Sequence, residues 1–314
     1  MESLDDSHMS VFLSDIQNMA DIHLVNSNIK FIDLFAGIGG FHLALHNLGA
    51  TCVFASEWDK NARKTYIHNF QSISPDLFRQ NNFAGDITGV KNSEIPDFDI
   101  LCAGFPCQPF SQAGYKKGFD EVRGTLFFDI VKIIQEKKPA AFFLENVRHL
   151  LNHDEGKTFA IIRKILEDEL DYSFYHSIVK ASDFGLPQHR PRLFMVGFKN
   201  RKLKFEFPKP IPLKKTMSDI LGGECDRKIG FTLRVGGKGS SIEDRRNWDS
   251  YRVDGTVKRI DSEHGKAMQG FPSNFEFPVS KVQAMKQLGN SVAVPAIQAV
   301  AASIIKTLGS QKKC

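Results

Sequence analysis

The 314-residue chain contains no uninterrupted apolar run near the roughly 18 residues needed to cross a bilayer; its longest candidates are broken by charge or glycine. Its start, MESLDDSHMS, is acidic and lacks the basic opening and apolar stretch of a secretory leader, so an intracellular chain is expected. Cysteine is scarce: Cys52, Cys102, Cys107, Cys225 and Cys314 form no C-x-x-C pair and no Cys/His array of metal-ligand spacing. That argues against a disulfide framework and a zinc site, and no metal is expected. Internal repeats and low-complexity segments are lacking too. With 42% hydrophobic and 25% charged residues, the composition is that of a globular protein and excludes disordered and fibrous classes.

What the chain does have is an alternating pattern. KFIDLF (30–35), TCVFASE (51–57), DFDILCAG (97–104) and AAFFLENV (140–147) read as strands, and YSFYHSIVKA and RLFMVGF close the series. Between them FHLALHNL, NARKTYIHNF, LFFDIVKIIQEKK and KTFAIIRKILEDEL have helical spacing. Strands alternating with helices indicate βαβ units and a sheet covered on both faces. The pattern stops near Phe198 and helical spacing returns at 281–288 and 294–307. The expected organisation is therefore an N-terminal segment 1–28 with one packing helix, an α/β domain over 29–198, a smaller irregular domain over 199–267, and a return to the first domain over 268–314. Net charge is +5, but residues 199–267 carry 17 Lys and Arg against 10 Asp and Glu, a net +7, while the remainder carries 24 against 26. Such a segment is either a nucleic-acid face or a basic solvated loop region.

Four stretches carry chemistry. DLFAGIGG (33–40) is a glycine-rich turn between strand and helix, suited to close approach of a ligand, but its G-x-G-G spacing misses the dinucleotide fingerprint. Glu57, ending the next strand, suits a ribose-hydroxyl acceptor. Trp58 beside it either stacks on an adenine ring or belongs to the core, and Asp86, after a further short strand, could reach a purine amino group. In GFPCQPFS (104–111) Cys107 lies between two prolines, which bars a helix or central strand and sets it on a loop at the carboxyl edge of the sheet. That suits an exposed nucleophile better than a core thiol. Glu145 ends the apolar strand AAFFLE and projects from the same edge. QHRPR (188–192) spaces Arg190 and Arg192 two apart on extended chain, on one face, suited to clamping an anion.

Taken together these stretches resemble the DNA (cytosine-5)-methyltransferase family, in particular its compact bacterial restriction-modification enzymes. DLFAGIGG looks like the first cofactor motif, GFPCQPFS the nucleophile motif, ENV the glutamate motif and QHRPRLFMVG the Q-x-R-x-R motif. MQGFP (268–272) and QLGNSV (287–292) resemble the last two motifs. All six stand in family order from about 30 to 308.

The resemblance implies a Rossmann-like methyltransferase domain with a mixed sheet and S-adenosyl-methionine as cofactor. It assigns the cofactor pocket to Phe35, Ala36, Gly37, Gly39, Gly40, Glu57, Trp58, Asp86, Ile87, Pro106, Leu126, Asn290 and Ser291. Cys107, Glu145, Arg190 and Arg192 are implied as the catalytic set. The stretch 108–124 resembles a mobile loop over a flipped-out cytosine. Gln108, Ser111, Gln112 and Arg123 in it, with Arg234, Gly236, Gly237, Lys238, Arg245 and Arg246 in the basic segment, are the implied DNA contacts. Ala113 stands where some relatives carry a serine that fills the gap left by the base, so another residue such as Gln112 would fill it. The implied partner is double-stranded DNA with a short palindromic site, together with a cognate restriction endonuclease. A monomer in a bacterial cytoplasm, at the nucleoid when on DNA, is expected.

Two rivals remain. A transfer-RNA cytosine methyltransferase of the same architecture would carry P-P-C-Q-P where this chain has F-P-C-Q-P, and a C-F-T signature that residues 199–267 lack. A catalytically inactive DNA-binding relative would have lost the cysteine or the glutamate, and both are present. A nicotinamide-dependent enzyme would leave Cys107, Glu145 and the arginine pair unexplained.

Overall fold

A computed structural model describes residues 29–106, 126–236 and 239–310. The packing helix expected in 1–28 lies outside them, as do Cys107, the loop 108–124, and Gly237 and Lys238.

The alternating pattern folds into a seven-stranded sheet: β1 Lys30–Leu34, β2 Thr51–Ser56, β3 Phe83–Ala84, β4 Ile100–Gly104, β5 Ala141–Val147, β6 Tyr175–Lys180 and β7 Pro191–Phe198. Spatial order is β3-β2-β1-β4-β5-β7-β6. The first five strands are parallel, whereas β7 runs antiparallel to both β5 and β6. The sheet is mixed, as expected. The chain winds outward from β1 to β2 and β3, then returns to place β4 on β1's other side. The crevice at the carboxyl ends of β1 and β4 is thus the switch point where ligands bind in such sheets.

Period-two alternation sends neighbouring side chains to opposite faces. On β5, Phe142 and Leu144 join one apolar cluster with α4 (Leu126–Lys137) and α5 (Lys157–Lys164). Ala141 and Phe143 join the other, with α1 (Gly40–His46), α2 (Lys60–Phe70) and α9 (Val294–Gly309). Glu145 continues the second register, so its carboxylate emerges on the α1 face at the strand's end.

The connections follow local chemistry. Asp59 caps α2 by accepting the N–H groups of Asn61 and Ala62. By contrast α1 opens on Gly39, which has no side chain to cap with. A short α3, Pro75–Arg79, precedes β3.

Residues 199–267 supply no strand to the large sheet. They form α6 (Met217–Leu221), a hairpin of β8 (Ser250–Val253) with β9 (Thr256–Arg259), and most of α7 (Ser262–Gln269). The boundary drawn at 267/268 therefore falls inside a helix. Nor does the segment have a separate core: Leu233, Trp248, Tyr251 and Ile260 belong to the same cluster as Phe198, Met268 and Leu288. Helix α8, Lys281–Asn290, packs against α7, and α9 returns against α1. The stretch Lys281–Gly309 is apolar enough on average to cross a membrane, but 67% of its most apolar window is buried inside the fold, as a core helix requires.

Candidate active site

The carboxyl edge collects the residues singled out above. After β1, Phe35, Gly37 and Gly39 all have positive φ, at 56°, 57° and 86°. A non-glycine residue in this region is strained, and such strain concentrates at ligand sites. The turn is held from below by Glu57: its Oε2 accepts the Gly37 N–H at 2.7 Å and its Oε1 the Asp59 N–H at 2.8 Å. Burial pushes the Glu57 carboxyl above the usual range, the two backbone donors working against that.

Trp58 is 77% exposed beside this buried carboxylate, which removes the core reading of its ring. Asp86 follows β3, and its Oδ1 accepts from the N–H of Thr88 at 3.0 Å and its hydroxyl at 2.9 Å; Ile87 beside it is buried. Pro106 is exposed two residues after β4, and Leu126 opens α4. Gly40 joins the two ends of the chain: a Cβ there would stand 2.5 Å from Val292 and 3.4 Å from the Ser291 hydroxyl. The first and last motifs are therefore in contact, with Asn290 exposed at their junction.

These residues fit S-adenosyl-methionine. A Cβ on Gly37 would meet nothing within 4 Å, so the glycine backbone is open to an incoming group. An uncovered indole face and a buried acid lie just beyond, at the end of the neighbouring strand.

Glu145 and Arg192 meet diagonally across the β5–β7 pair, Nε to Oε1 at 3.0 Å, both side chains largely buried. Burial raises the Glu145 carboxyl above its ordinary value, and Arg192, then Arg190, oppose that rise. Asn146, on the opposite face, donates from Nδ2 to the Phe105 carbonyl at 2.9 Å and so pins the chain two residues before Cys107. The sequence reading passed over this asparagine, although it stands inside the motif quoted for Glu145.

Arg190 departs from expectation. It does not clamp an anion with Arg192. Its Nη1 donates to the Leu233 carbonyl at 3.2 Å and its Nη2 to the carbonyls of Gly289, at 3.0 Å, and Ser291. It is 2% exposed, and burial holds its pKa well below the usual arginine value. Arg192, one β-repeat further on, reaches the glutamate instead.

The basic segment separates its candidates in the same way. Arg234, Gly236 and Arg245 are exposed. Arg246 is exposed but held in a fork by Asp244, Nη2 to Oδ2 at 2.7 Å, and this arginine holds the Asp244 carboxyl at about 2. Gly236 and Gly239 are each held by one of two consecutive buried residues. Trp248 Nε1 donates to the Gly236 carbonyl at 2.9 Å, and Asp249 Oδ2 accepts the Gly239 N–H at 3.0 Å. Among the described residues no group of His, Cys, Asp and Glu could hold a metal ion.

A family model for C-5 cytosine-specific DNA methylases matches residues 29–248 and 227–306. The chain belongs to that family. It is a DNA cytosine-C5 methyltransferase. It is similar to the type II methyltransferase M.SsoII of Shigella sonnei, 45% identical with 91% of this chain and 82% of the relative covered. To M.HhaI of Haemophilus parahaemolyticus it is 38% identical, covering 90% and 96%. Among solved structures, the S. pombe Dnmt2 methyltransferase shares the fold with a TM-score of 0.69 at 19% identity, over 90% of this chain and 99% of that one.

Proposed function

We propose that this methyltransferase acts on double-stranded DNA at one short palindromic site, through a covalent adduct on a flipped-out cytosine. The observation that carries the reading is the buried Glu145–Arg192 pair at the carboxyl edge, one strand away from the segment leading into Cys107. C5 of cytosine is too weak a nucleophile unaided. The Cys107 thiolate adds to C6, and the C5–C6 electron pair shifts to C5. Glu145 hydrogen-bonds N3 and the amino edge as charge accumulates on the ring, acting from a site where burial strengthens the interaction. Arg192 orients that carboxylate and holds the base beside it. S-adenosyl-methionine supplies the electrophilic methyl group, and Phe35, Ala36, Gly37, Gly39, Gly40, Glu57, Trp58, Asp86, Ile87, Pro106, Leu126, Asn290 and Ser291 would hold it. With the methyl group on C5, the C5 proton passes to solvent water, the C5–H electron pair re-forms the C5–C6 double bond, and the C6–Sγ bond breaks to release the Cys107 thiolate. Addition to C6 and bonding at N3 cannot both occur inside a stacked pair, so the base leaves the duplex.

Recognition falls to residues 199–267, with exposed Arg234, Gly236 and Arg245 as contacts beside Gly237, Lys238 and Arg246. Gln108, Ser111, Gln112 and Arg123 contribute from the loop. Methylation at a short site suits a restriction-modification pair with a cognate endonuclease, the chain acting as a monomer in the bacterial cytoplasm and on the nucleoid. Bisulfite sequencing of DNA from cells expressing the chain should reveal one protected sequence, and Cys107→Ala should erase it. Transcribed transfer RNA should stay unmodified. Protection that survives Cys107→Ala, or that never appears in DNA, refutes the reading.

A further inference from the structure

Gln188 and Arg190 stand two apart on the extended chain entering β7, and together they grip one backbone unit from both sides. The Gln188 Oε1 accepts the Leu233 N–H at 3.1 Å, and Arg190 donates to the carbonyl of the same residue. Two side chains thus do for Leu233 what a neighbouring strand does for a residue in a ladder. The adjoining backbone is tied as well: the His189 N–H donates to the Gly230 carbonyl at 2.8 Å, and the Gly230 N–H to that of Pro187 at 3.0 Å. Gln188 Nε2 also donates to the Met268 carbonyl at 2.9 Å, and Gln269, next along α7, donates from Nε2 to the Leu288 carbonyl at 2.8 Å.

Arg190's other donations go to Gly289 and Ser291, on either side of Asn290. The two segments also touch directly, since a Cβ on Gly289 would stand 2.6 Å from the backbone carbon of Arg234. A guanidinium suits this position because its planar fork can hold carbonyls of two segments at once, which a single ammonium cannot. The two gripping side chains are buried: Gln188 is 0% and Arg190 2% exposed. Displacing Arg234 therefore disturbs residues 289–291, and the reverse holds equally.

We infer that Arg190 is a positioning residue that couples DNA recognition to cofactor binding, by bridging Leu233 within the recognition segment to Gly289 and Ser291 at the cofactor pocket. The inference rests on the assignment of those two segments to DNA and to cofactor. Coupling of this kind is reciprocal: whatever DNA does to cofactor affinity, cofactor does to DNA affinity by the same factor.

The test is the dissociation constant of S-adenosyl-homocysteine, measured by calorimetry with and without a duplex carrying the site that bisulfite sequencing identifies. In the unaltered chain the duplex should tighten binding by a factor on the order of 10. Arg190→Lys keeps the charge and loses the fork, and should bring that factor to within about twofold of one. Gly289→Ala leaves Arg190 intact but forces the two segments apart, and should do the same. A side chain needed only for folding would lower stability and both affinities while leaving their ratio unchanged. An unaltered chain with no coupling, or either folded variant with the full factor, overturns the inference. The assignment of function fails separately, if the unaltered chain methylates no DNA.

Discussion

Gly37 and Gly39 lie two residues apart in one turn, both at positive φ, yet alanine at the two positions should have different consequences. At Gly37 (φ +57°) an added Cβ meets nothing within 4 Å. The substitution therefore costs the left-handed backbone penalty alone, about 1–2 kcal/mol. At Gly39 (φ +86°) the Cβ would stand 2.2 Å from Cε2 of Phe70. That ring is 1% exposed and stacks on His42 at 4.1 Å between centroids, so it cannot swing aside. Overpacking adds about 1–3 kcal/mol, for a total of about 2–5 kcal/mol. Urea unfolding read by fluorescence should rank the two accordingly. Binding of S-adenosyl-homocysteine should rank them the other way per unit of stability lost. Gly37→Ala fills the space open to the cofactor and should weaken binding by roughly an order of magnitude or more, the scale of a steric mismatch in a fitted pocket. Equal losses of stability, or a Gly37→Ala protein that binds like the unaltered one, would refute the assignment of this turn.

Trp58→Ala should leave folding within about 0.5 kcal/mol, because the ring is exposed, yet weaken S-adenosyl-homocysteine binding by about 1–3 kcal/mol in calorimetry, the worth of a base–aromatic stack. Unchanged affinity would remove Trp58 from the pocket. Glu145→Gln should cut turnover by roughly two orders of magnitude or more, a general acid–base scale, while cofactor affinity stays within about twofold; normal turnover at saturation with lost binding would reverse the roles. His42 donates to or accepts from Tyr66 Oη at 2.6 Å and Ser74 Oγ at 2.9 Å, and burial above all, then His46, lowers its pKa from 6.5 to about 3. The unfolded chain then binds the proton first as pH falls below 6.5, so the stability held by neutral His42 is complete above 6.5 and drains toward pH 3. At pH 5 the loss is about 2 kcal/mol relative to pH 7. Denaturant titrations of His42→Gln should lack that part of the slope; an identical pH dependence in the variant would disprove the origin.

Local pattern alone determined most of the sheet. Strands from 30 to 198 declare themselves as short continuous apolar runs and helices through period-3.6 spacing, and a strand's end places Glu57, Glu145 and the approach to Cys107 at one edge, because parallel strands share a direction. The same logic fails where spacing is uninformative. All four residues of β9 are exposed, so no alternation marks it. Helix α7 carries Gly265 in its middle, where a Cβ would stand only 3.0 Å from Cδ1 of Leu288, and an Asp261–His264 capping box opens the helix. Whether Trp58 is core or platform depends on what covers it, which only the folded chain decides. The arginine pair shows the limit best. Sequence sets Arg190 and Arg192 on one face of an extended segment and cannot go further. Arg192 finds its partner on the adjacent strand, whereas the carbonyls that receive Arg190 lie 43, 99 and 101 residues away. A side chain's role follows from the groups brought to it, and those groups arrive through chain crossings that no local spacing records.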